Sequence, residues 1–214
     1  MSALRTADGV SPRVVRGKVI RPATPADLPT IGRLGALLVR THHDFDPKRF
    51  IAATPQTEHG YASFLGGQLD DPDVIVLVAE HDPAVIPSPS HVIPSAARDL
   101  QVGAGSARNV QSPIGEVIGY SYAGVEGYDY MSLRGPAGAL YDIVVDPIHR
   151  GRGVGRMLLD ATLATLKARG APRVVLSTAE QNEAAKRLFA RAGFRRTMIE
   201  MTRELDGAQP PPSP

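Results

Sequence analysis

Val144-Val145-Asp146-Pro147-Ile148-His149-Arg150-Gly151-Arg152-Gly153-Val154-Gly155-Arg156 runs from an apolar strand, through glycines, into a helix. Gly151, Gly153 and Gly155 leave bare backbone where a ligand could approach. The first turn of the helix that follows has N–H groups without an intrahelical acceptor, and the helix dipole adds partial positive charge. Arg150, Arg152 and Arg156 add full charges. The stretch therefore reads as an anion site, and a pyrophosphate is a natural occupant. Spacing separates it from two other phosphate loops. A P-loop needs a Lys-Ser or Lys-Thr pair after its last glycine. A Rossmann fingerprint spaces its glycines differently and opens a βαβ unit.

The flanking sequence supplies the rest of the fold. Val19-Ile20-Arg21 reads as a short strand. Thr24-Pro25, with Asp27 close behind, is a helix start, and Ile31, Leu34, Leu37 and Leu38 give that helix an apolar stripe. It is expected to end near His42-His43-Asp44. A second Thr-Pro start at Thr54-Pro55 predicts a helix to about Leu69. Val74 to Ala79 is a continuous apolar run, as in a strand buried on both faces. Glu116 to Ala123 reads as its partner strand, with a long loop at 124–138 carrying Tyr128, Tyr130 and Arg134. Leu140 to Val145 is the next strand, followed by a helix over about 153–169, a strand at 173–177 and a helix over about 182–192. The segment 194–205 is expected to be a last extended strand.

Three stretches lack such patterns. Residues 1–17 read as a flexible tail and 206–214 as a disordered, Pro-rich one. The stretch 82–113, rich in Pro, Ser, Ala and Gly, reads as an insertion between neighbouring strands, either a tolerated surface loop or a lid. The domain is expected to span 18–205.

Composition narrows the function classes. Hydrophobic residues make up 43% and charged residues 21% of the 214, which suits one globular domain with a full core. No apolar run approaches the roughly 20 residues that span a bilayer, and residues 1–18 lack the apolar core of a secretory signal. A cytoplasmic protein with no membrane partner is the expectation. The chain has no cysteine, which excludes disulfides, Cys-ligated zinc and a Cys nucleophile. A thiol in its chemistry would have to arrive on a bound molecule. The net charge of +2, dispersed, and the 5% aromatic content argue against a nucleic-acid partner.

Arg150-x-x-Gly153-x-Gly155, after a strand ending Val145-Asp146-Pro147 and before a long helix, resembles motif A of the GNAT superfamily of N-acetyltransferases. Asn182-x-x-Ala185-x-x-Leu188-Phe189, then Ala192-Gly193-Phe194, resembles that family's second motif on the coenzyme side. The resemblance covers roughly residues 18–205 apart from the insertion. It implies an α/β fold of mixed α+β type, a single domain whose central, mostly antiparallel twisted sheet has a splayed strand pair and flanking helices. It also implies acetyl-CoA as co-substrate. Its pyrophosphate would lie on Arg150, Gly151, Arg152, Gly153, Val154, Gly155 and Arg156. Its pantetheine arm would run beside Ile143, Val144 and Val145, with Asn182 and Phe189 nearby. A homodimer is common in the family.

The reaction so implied is attack of a primary amine, on a small molecule or a peptide, on a thioester. Asp142 is the favoured general base, being the only acid within an apolar strand, where burial would raise its pKa. The competing reading is a structural carboxylate paired with Arg134. Glu80 and Glu126 are reserves, and a water-mediated base is a further route. The family often places a tyrosine at the position of Phe189 to protonate the leaving thiolate. Here Tyr141 or Tyr120 would have to substitute, or the thiolate leaves unaided. His42-His43-Asp44-Phe45-Asp46 reads first as a capped helix end and second as an acceptor pocket. A metal site is the sharper alternative, but adjacent histidines usually point apart and no third ligand is obvious, so no metal is expected. Tyr128 and Tyr130 would line that pocket or cover the core. Phe189 also leaves open a non-catalytic module of the same fold that binds or senses acyl-CoA.

Overall fold

Strand β3 (Val74–His81) explains its own composition. Ile75, Leu77 and Ala79 are buried on one face, and Val76 and Val78 on the other. Strand residues alternate faces, so a strand covered on both sides must be apolar throughout. The computed structural model describes residues 13–15, 17–81 and 115–205. The expected insertion at 82–113, the C-terminal tail and most of the N-terminal tail lie outside the described residues.

Around β3 lie β1 (Arg13–Val15), β2 (Lys18–Pro22), β4 (Glu116–Glu126), β5 (Ala137–Val145) and β6 (Val174–Leu176). They form one six-stranded sheet in sequence order. Every neighbouring pair is antiparallel except β5 and β6, which run parallel. Helices α1 (Leu28–Phe45) and α2 (Thr57–Gly66) precede β3. Helix α3 (Val154–Ala168) joins β5 to β6, and α4 (Glu183–Arg191) follows β6. The mixed α/β expectation, with a mostly antiparallel sheet flanked by helices, holds.

The two faces have separate cores. On one, Leu158, Leu159 and Leu166 of α3 and Phe189 of α4 pack on Ile20, Leu77, Ile118 and Leu140. On the other, Ile31 and Leu34 of α1 and Leu65 of α2 pack on Val76, Val78, Tyr120 and Val144. Full burial of each such aliphatic side chain contributes about 1.5–3 kcal/mol. Glycines bring α1 and α2 together. A Cβ at Gly32 would lie 2.3 Å from Glu58 O, and one at Gly35 would lie 2.2 Å from Tyr61 Cδ1.

The Thr24-Pro25 start is realised through Asp27. Its Oδ2 accepts from Thr24 N at 2.7 Å and from Thr24 Oγ1 at 2.9 Å. Arg21 donates to both Asp27 oxygens at 2.7 and 2.8 Å, and its Nε donates to Glu80 at 2.5 Å. Burial pushes the Asp27 carboxyl up, but the Arg21 and Thr24 hydrogen bonds outweigh it and hold the group below its usual range.

Several boundaries differ from expectation. Residues 13–15, read as tail, form β1 against β2. Strands β4 and β5 reach into the expected 124–138 loop, leaving a tip cross-linked by mutual Asp129–Arg134 backbone bonds of 2.8 Å. The last strand expected at 194–205 does not form. Met198, Ile199 and Met201 there are 74–89% exposed, so pairing would bury no apolar face. The segment is tied down by Arg49, whose NH2 donates to Glu200 at 2.9 Å.

Candidate active site

Strand β5 keeps β4 along its length but loses its second partner, β6, at its middle. Its pairing with β6 ends at Leu140 and Leu176. At the same place its register with β4 slips: Ala123 faces Leu140 and Tyr122 faces Asp142, leaving Tyr141 without a partner. One extra residue in one strand is a β-bulge, which bends the strand and increases its twist. Beyond the bulge β5 and β6 separate, as expected for the splayed pair. Val144 O faces Gly119 of β4, since a Cβ there would lie 2.6 Å from it. Strand alternation then aims the peptide groups of Ile143 and Val145 at the open side. Arg150 Nε donates to Val145 O at 3.0 Å.

A cavity of about 310 Å³ occupies the opening. Leu140, Asp142 and Ile143 line it from β5, Ser177 and Thr178 from the end of β6, and Asn182 and Phe189 from α4. Across from them stand His42, Phe50 and Tyr61, brought in by α1, its following loop and α2. Asn182 caps α4, its Oδ1 accepting from Ala185 N at 3.1 Å. Phe189 is 6% exposed and packs edge-on against Phe194, so the cavity meets an aromatic ring with no hydroxyl.

Asp142 is the polar centre of this cavity. Its Oδ2 accepts from Tyr120 OH at 2.9 Å. The Tyr61 hydroxyl, on the facing wall, also interacts with this carboxylate. Burial pushes the Asp142 carboxyl above its usual range, and the two phenols and nearby His42 offset this only in part. Burial and the Asp142 charge in turn push both phenols up, so they remain proton donors at neutral pH. The expected pairing with Arg134 does not occur. Arg134 bonds Glu126 and stands 3.5 Å from Asp129, on the tip of the β4–β5 loop.

The other candidates are distributed differently from expectation. Glu80 is engaged by Arg21 and by Gly115 N at 2.6 Å. Glu126 takes Arg134 and the Tyr141 hydroxyl, the latter at 2.6 Å. Tyr141 lines the cavity, and burial and the Glu126 bond push its pKa up. Tyr128 and Tyr130 neither line the cavity nor cover the core. They stack on each other at 6.2 Å and are 72% and 81% exposed. His42 and His43 point apart, with Nδ1 atoms 2.9 Å from Leu38 O and Phe50 O respectively. Among the described residues no group of three His, Asp or Glu could hold a metal. Tyr61, inside the helix expected after Thr54-Pro55, and Phe50 carry no mark of the site in sequence. Periodicity places a side chain on a face but not against a carboxylate about 80 residues away.

At the glycine turn the anion reading gains geometry. Gly151 and Gly153 have φ of 73° and 81°, in the left-handed region that L side chains adopt only with strain. A Cβ on either would meet nothing within 4 Å. Gly153 is the N-cap of α3 and provides no side-chain cap, so the first-turn N–H groups face outward. Asp146 shapes the entry, its Oδ1 accepting from Ile148 N at 3.2 Å and its Oδ2 from Arg33 at 2.9 Å. One expected charge is diverted. Arg156 bonds both oxygens of Asp160 at 2.8 and 2.9 Å and reaches Arg191 O at 3.2 Å. Lys18 Nζ approaches the turn instead, donating to Arg152 O at 3.3 Å.

Comparisons with known proteins agree with this geometry. Residues 102–194 match the acetyltransferase (GNAT) family. The mycothiol acetyltransferase of Thermobispora bispora is 40% identical over 91 residues, 41% of this chain and 29% of that protein. That of Streptosporangium roseum is 39% identical over 85 residues, 40% of this chain and 25% of that protein. The match thus spans less than a third of the length of either relative. Among solved structures, a mutant protein from Bacillus halodurans superposes with a TM-score of 0.62 at 19% identity, covering 87% of this chain and 98% of that one. The GCN5-related N-acetyltransferase of Ralstonia eutropha gives 0.54 at 19% identity, covering 89% and 100%. The splayed strands and the uncapped glycine turn thus lie on a chain whose residues 102–194 are similar to the acetyltransferase (GNAT) family and whose fold is shared with acetyltransferase structures.

Proposed function

We propose that this protein is an acyl-CoA-dependent N-acyltransferase that moves an acetyl group to a primary amine. The observation that carries the reading is the opening between β5 and β6, continuous along β5 with the glycine turn. Together they offer peptide groups for an extended amide-bearing arm and N–H groups for a pyrophosphate. Acetyl-CoA has both parts and supplies the acyl group as a thioester. Gly151, Gly153 and the first-turn N–H groups of α3 would hold the pyrophosphate. Ile143 and Val145 would hold the arm.

Asp142 is the general base in this reading. The acceptor amine is protonated near neutral pH, with a pKa near 10 for a lysine-like group, and must lose a proton before it attacks. Asp142, with its raised pKa and its position on the cavity wall, takes that proton directly or through water. The amine nitrogen then forms a bond to the thioester carbon, the C–S bond breaks, and the sulfur leaves as thiolate. The nitrogen sheds its remaining extra proton, through water or Tyr141, to that sulfur, so the products are an amide and a free thiol. Of the two tyrosines lining the cavity, Tyr61 serves Asp142 and Tyr141 serves Glu126. Tyr141 can return a proton to sulfur if its bond to Glu126 opens. The family match takes in the turn, Asp142 and α4 but none of α1 or α2. The acceptor-facing wall of His42, Phe50 and Tyr61 comes from outside that match, and the acceptor is a small-molecule or peptide amine that fits an apolar wall with one anionic group.

Phe189, with no hydroxyl at that cavity position, favours one competing reading: a module that binds acyl-CoA without turnover. Calorimetry with acetyl-CoA, followed by thiol release with a panel of primary amines, tests both. Micromolar binding with amine-dependent thiol release supports the transferase. Binding without release for any amine supports the sensing module. Absence of acyl-CoA binding overturns both.

A further inference from the structure

Helix α4 has a second working face. Asn182, Ala185 and Phe189 face the splayed cavity, whereas Ala184, Arg187, Leu188 and Arg191 line a separate groove of about 290 Å³. The spacing i, i+3, i+4, i+7 puts those four on one stripe of the helix. Arg156 of α3 forms the opposite wall. The groove adjoins the glycine turn: a Cβ at Gly155 would lie 3.6 Å from Leu188 Cδ2, and Arg156 NH1 reaches Arg191 O at 3.2 Å. Three guanidinium groups thus surround one small concavity. Arg156 is bonded to Asp160, and Glu183, one turn before Arg187 on α4, interacts with the Arg187 charge without a hydrogen bond. Among the described residues no carboxylate bonds Arg187 or Arg191, and both are exposed.

We propose that this groove is a second anion subsite, which takes the phosphomonoester on the ribose of the acyl donor. The inference rests on the acyl-CoA reading above and adds a determinant to it. Coenzyme A carries its pyrophosphate and its 3′-phosphate on the same ribose. A pyrophosphate at the Gly151–Gly155 turn leaves that ribose at the mouth of the groove. Guanidinium groups suit the ligand because their planar forks pair with phosphate oxygens two at a time. The groove is too small and too localised for a nucleic-acid backbone, which needs a run of cations along an extended face. Leu188, at its base, presents an apolar side chain to the sugar.

The test compares coenzyme A with 3′-dephospho-coenzyme A, by calorimetry on the full chain. One protein is wild type and the other combines Arg187→Ala with Arg191→Ala. Wild type is expected to bind coenzyme A at least about tenfold more tightly than the dephospho form, as befits charge-assisted hydrogen bonds. The variant is expected to lose that preference while its affinity for dephospho-coenzyme A stays unchanged. The preference should also shrink as salt is raised from 0.05 to about 0.5 M. Melting curves confirm that the variant is folded, and the matching pair of Lys substitutions should recover part of the preference. Equal wild-type binding of both molecules, or a variant that weakens both alike, overturns the subsite and leaves the acyl-CoA reading standing. Failure of wild type to bind either molecule overturns both.

Discussion

Gly32 and Gly35 of α1 face crowded space, whereas Gly151 and Gly153 of the β5–α3 turn face open space. The first pair is glycine because Glu58 O and the Tyr61 ring occupy the volume a Cβ would need. The second pair is glycine because the backbone is left-handed there. The same residue thus marks a packing constraint in one region and a conformational one in the other. The packed region brings α2 close enough for Tyr61 to reach Asp142. The open region presents backbone N–H groups to a ligand. Substitutions in the two regions should therefore fail in different assays, stability for the first and donor binding for the second.

The largest effect is expected at Asp142, where the packed region meets the chemistry. Asp142→Asn keeps an oxygen for Tyr120 but cannot take a proton. Turnover with the best amine should fall by about 10²–10⁴-fold while acetyl-CoA affinity changes little. Wild-type turnover should rise with pH through the raised Asp142 pKa, and the variant should lack that limb. Stability carries the opposite sign. A carboxyl whose folded pKa lies above its unfolded value binds protons more strongly in the native state. Its contribution is present below the unfolded pKa and is lost as pH rises through the folded one. The Asn variant should lose that pH dependence in urea titrations. A variant with full turnover would reduce Asp142 to a tie between Tyr61 and Tyr120.

Next in size is Gly35→Val. The new side chain must displace the Tyr61 ring, and overpacking of this kind destabilises by about 1–3 kcal/mol. For a chain of this length that lowers the melting temperature by roughly 2–4 °C per kcal/mol. Turnover should fall as well, because Tyr61 leaves Asp142, whereas acetyl-CoA affinity should hold. Gly153→Ala is expected to do the reverse. A left-handed non-glycine residue is strained by about 1–2 kcal/mol, and relief of that strain reorients the N–H groups of the turn. Acetyl-CoA affinity should drop about tenfold or more, read by calorimetry. Matching losses of stability and of binding in both variants would erase the distinction between the two regions.

The open region was the more legible in sequence. Its information is local: three glycines, a strand before them and a helix after them, all within about a dozen residues. Periodicity likewise located the helices and the inner strands, because burial on one stripe or two faces repeats along the chain. What escaped was non-local. Tyr61 and Tyr120 come to Asp142 from α2 and β4, and no spacing between them encodes that meeting. Arg134 was expected at Asp142 but lies beyond the bulge, next to Glu126 and Asp129. Arg156 was counted with the turn, although an acid four residues on, Asp160, is a standard helical partner. The 194–205 segment is non-helical yet unpaired, because Met198, Ile199 and Met201 have no face to cover and stay exposed.

The smallest effect is expected where the two regions touch. Arg33 of α1 donates to Asp146, the residue that opens the turn. Burial pushes the Asp146 carboxyl up, but the bonds from Arg33 and Ile148 N outweigh it, and its pKa lies below the usual value. The stability it contributes is present above the unfolded pKa and is lost as pH falls through the folded one. Arg33 is about half exposed, so the pair belongs with surface ion pairs, at about 0.2–1 kcal/mol. Arg33→Ala should lower stability by that much at neutral pH and by less in acid. A double-mutant cycle with Gly153→Ala then asks whether α1 sets the turn. Coupling below about 0.5 kcal/mol means the glycines fix its conformation without help from the helix. Larger coupling makes α1 a strut of the donor site, so packing at Gly32 and Gly35 would reach the open region through Arg33.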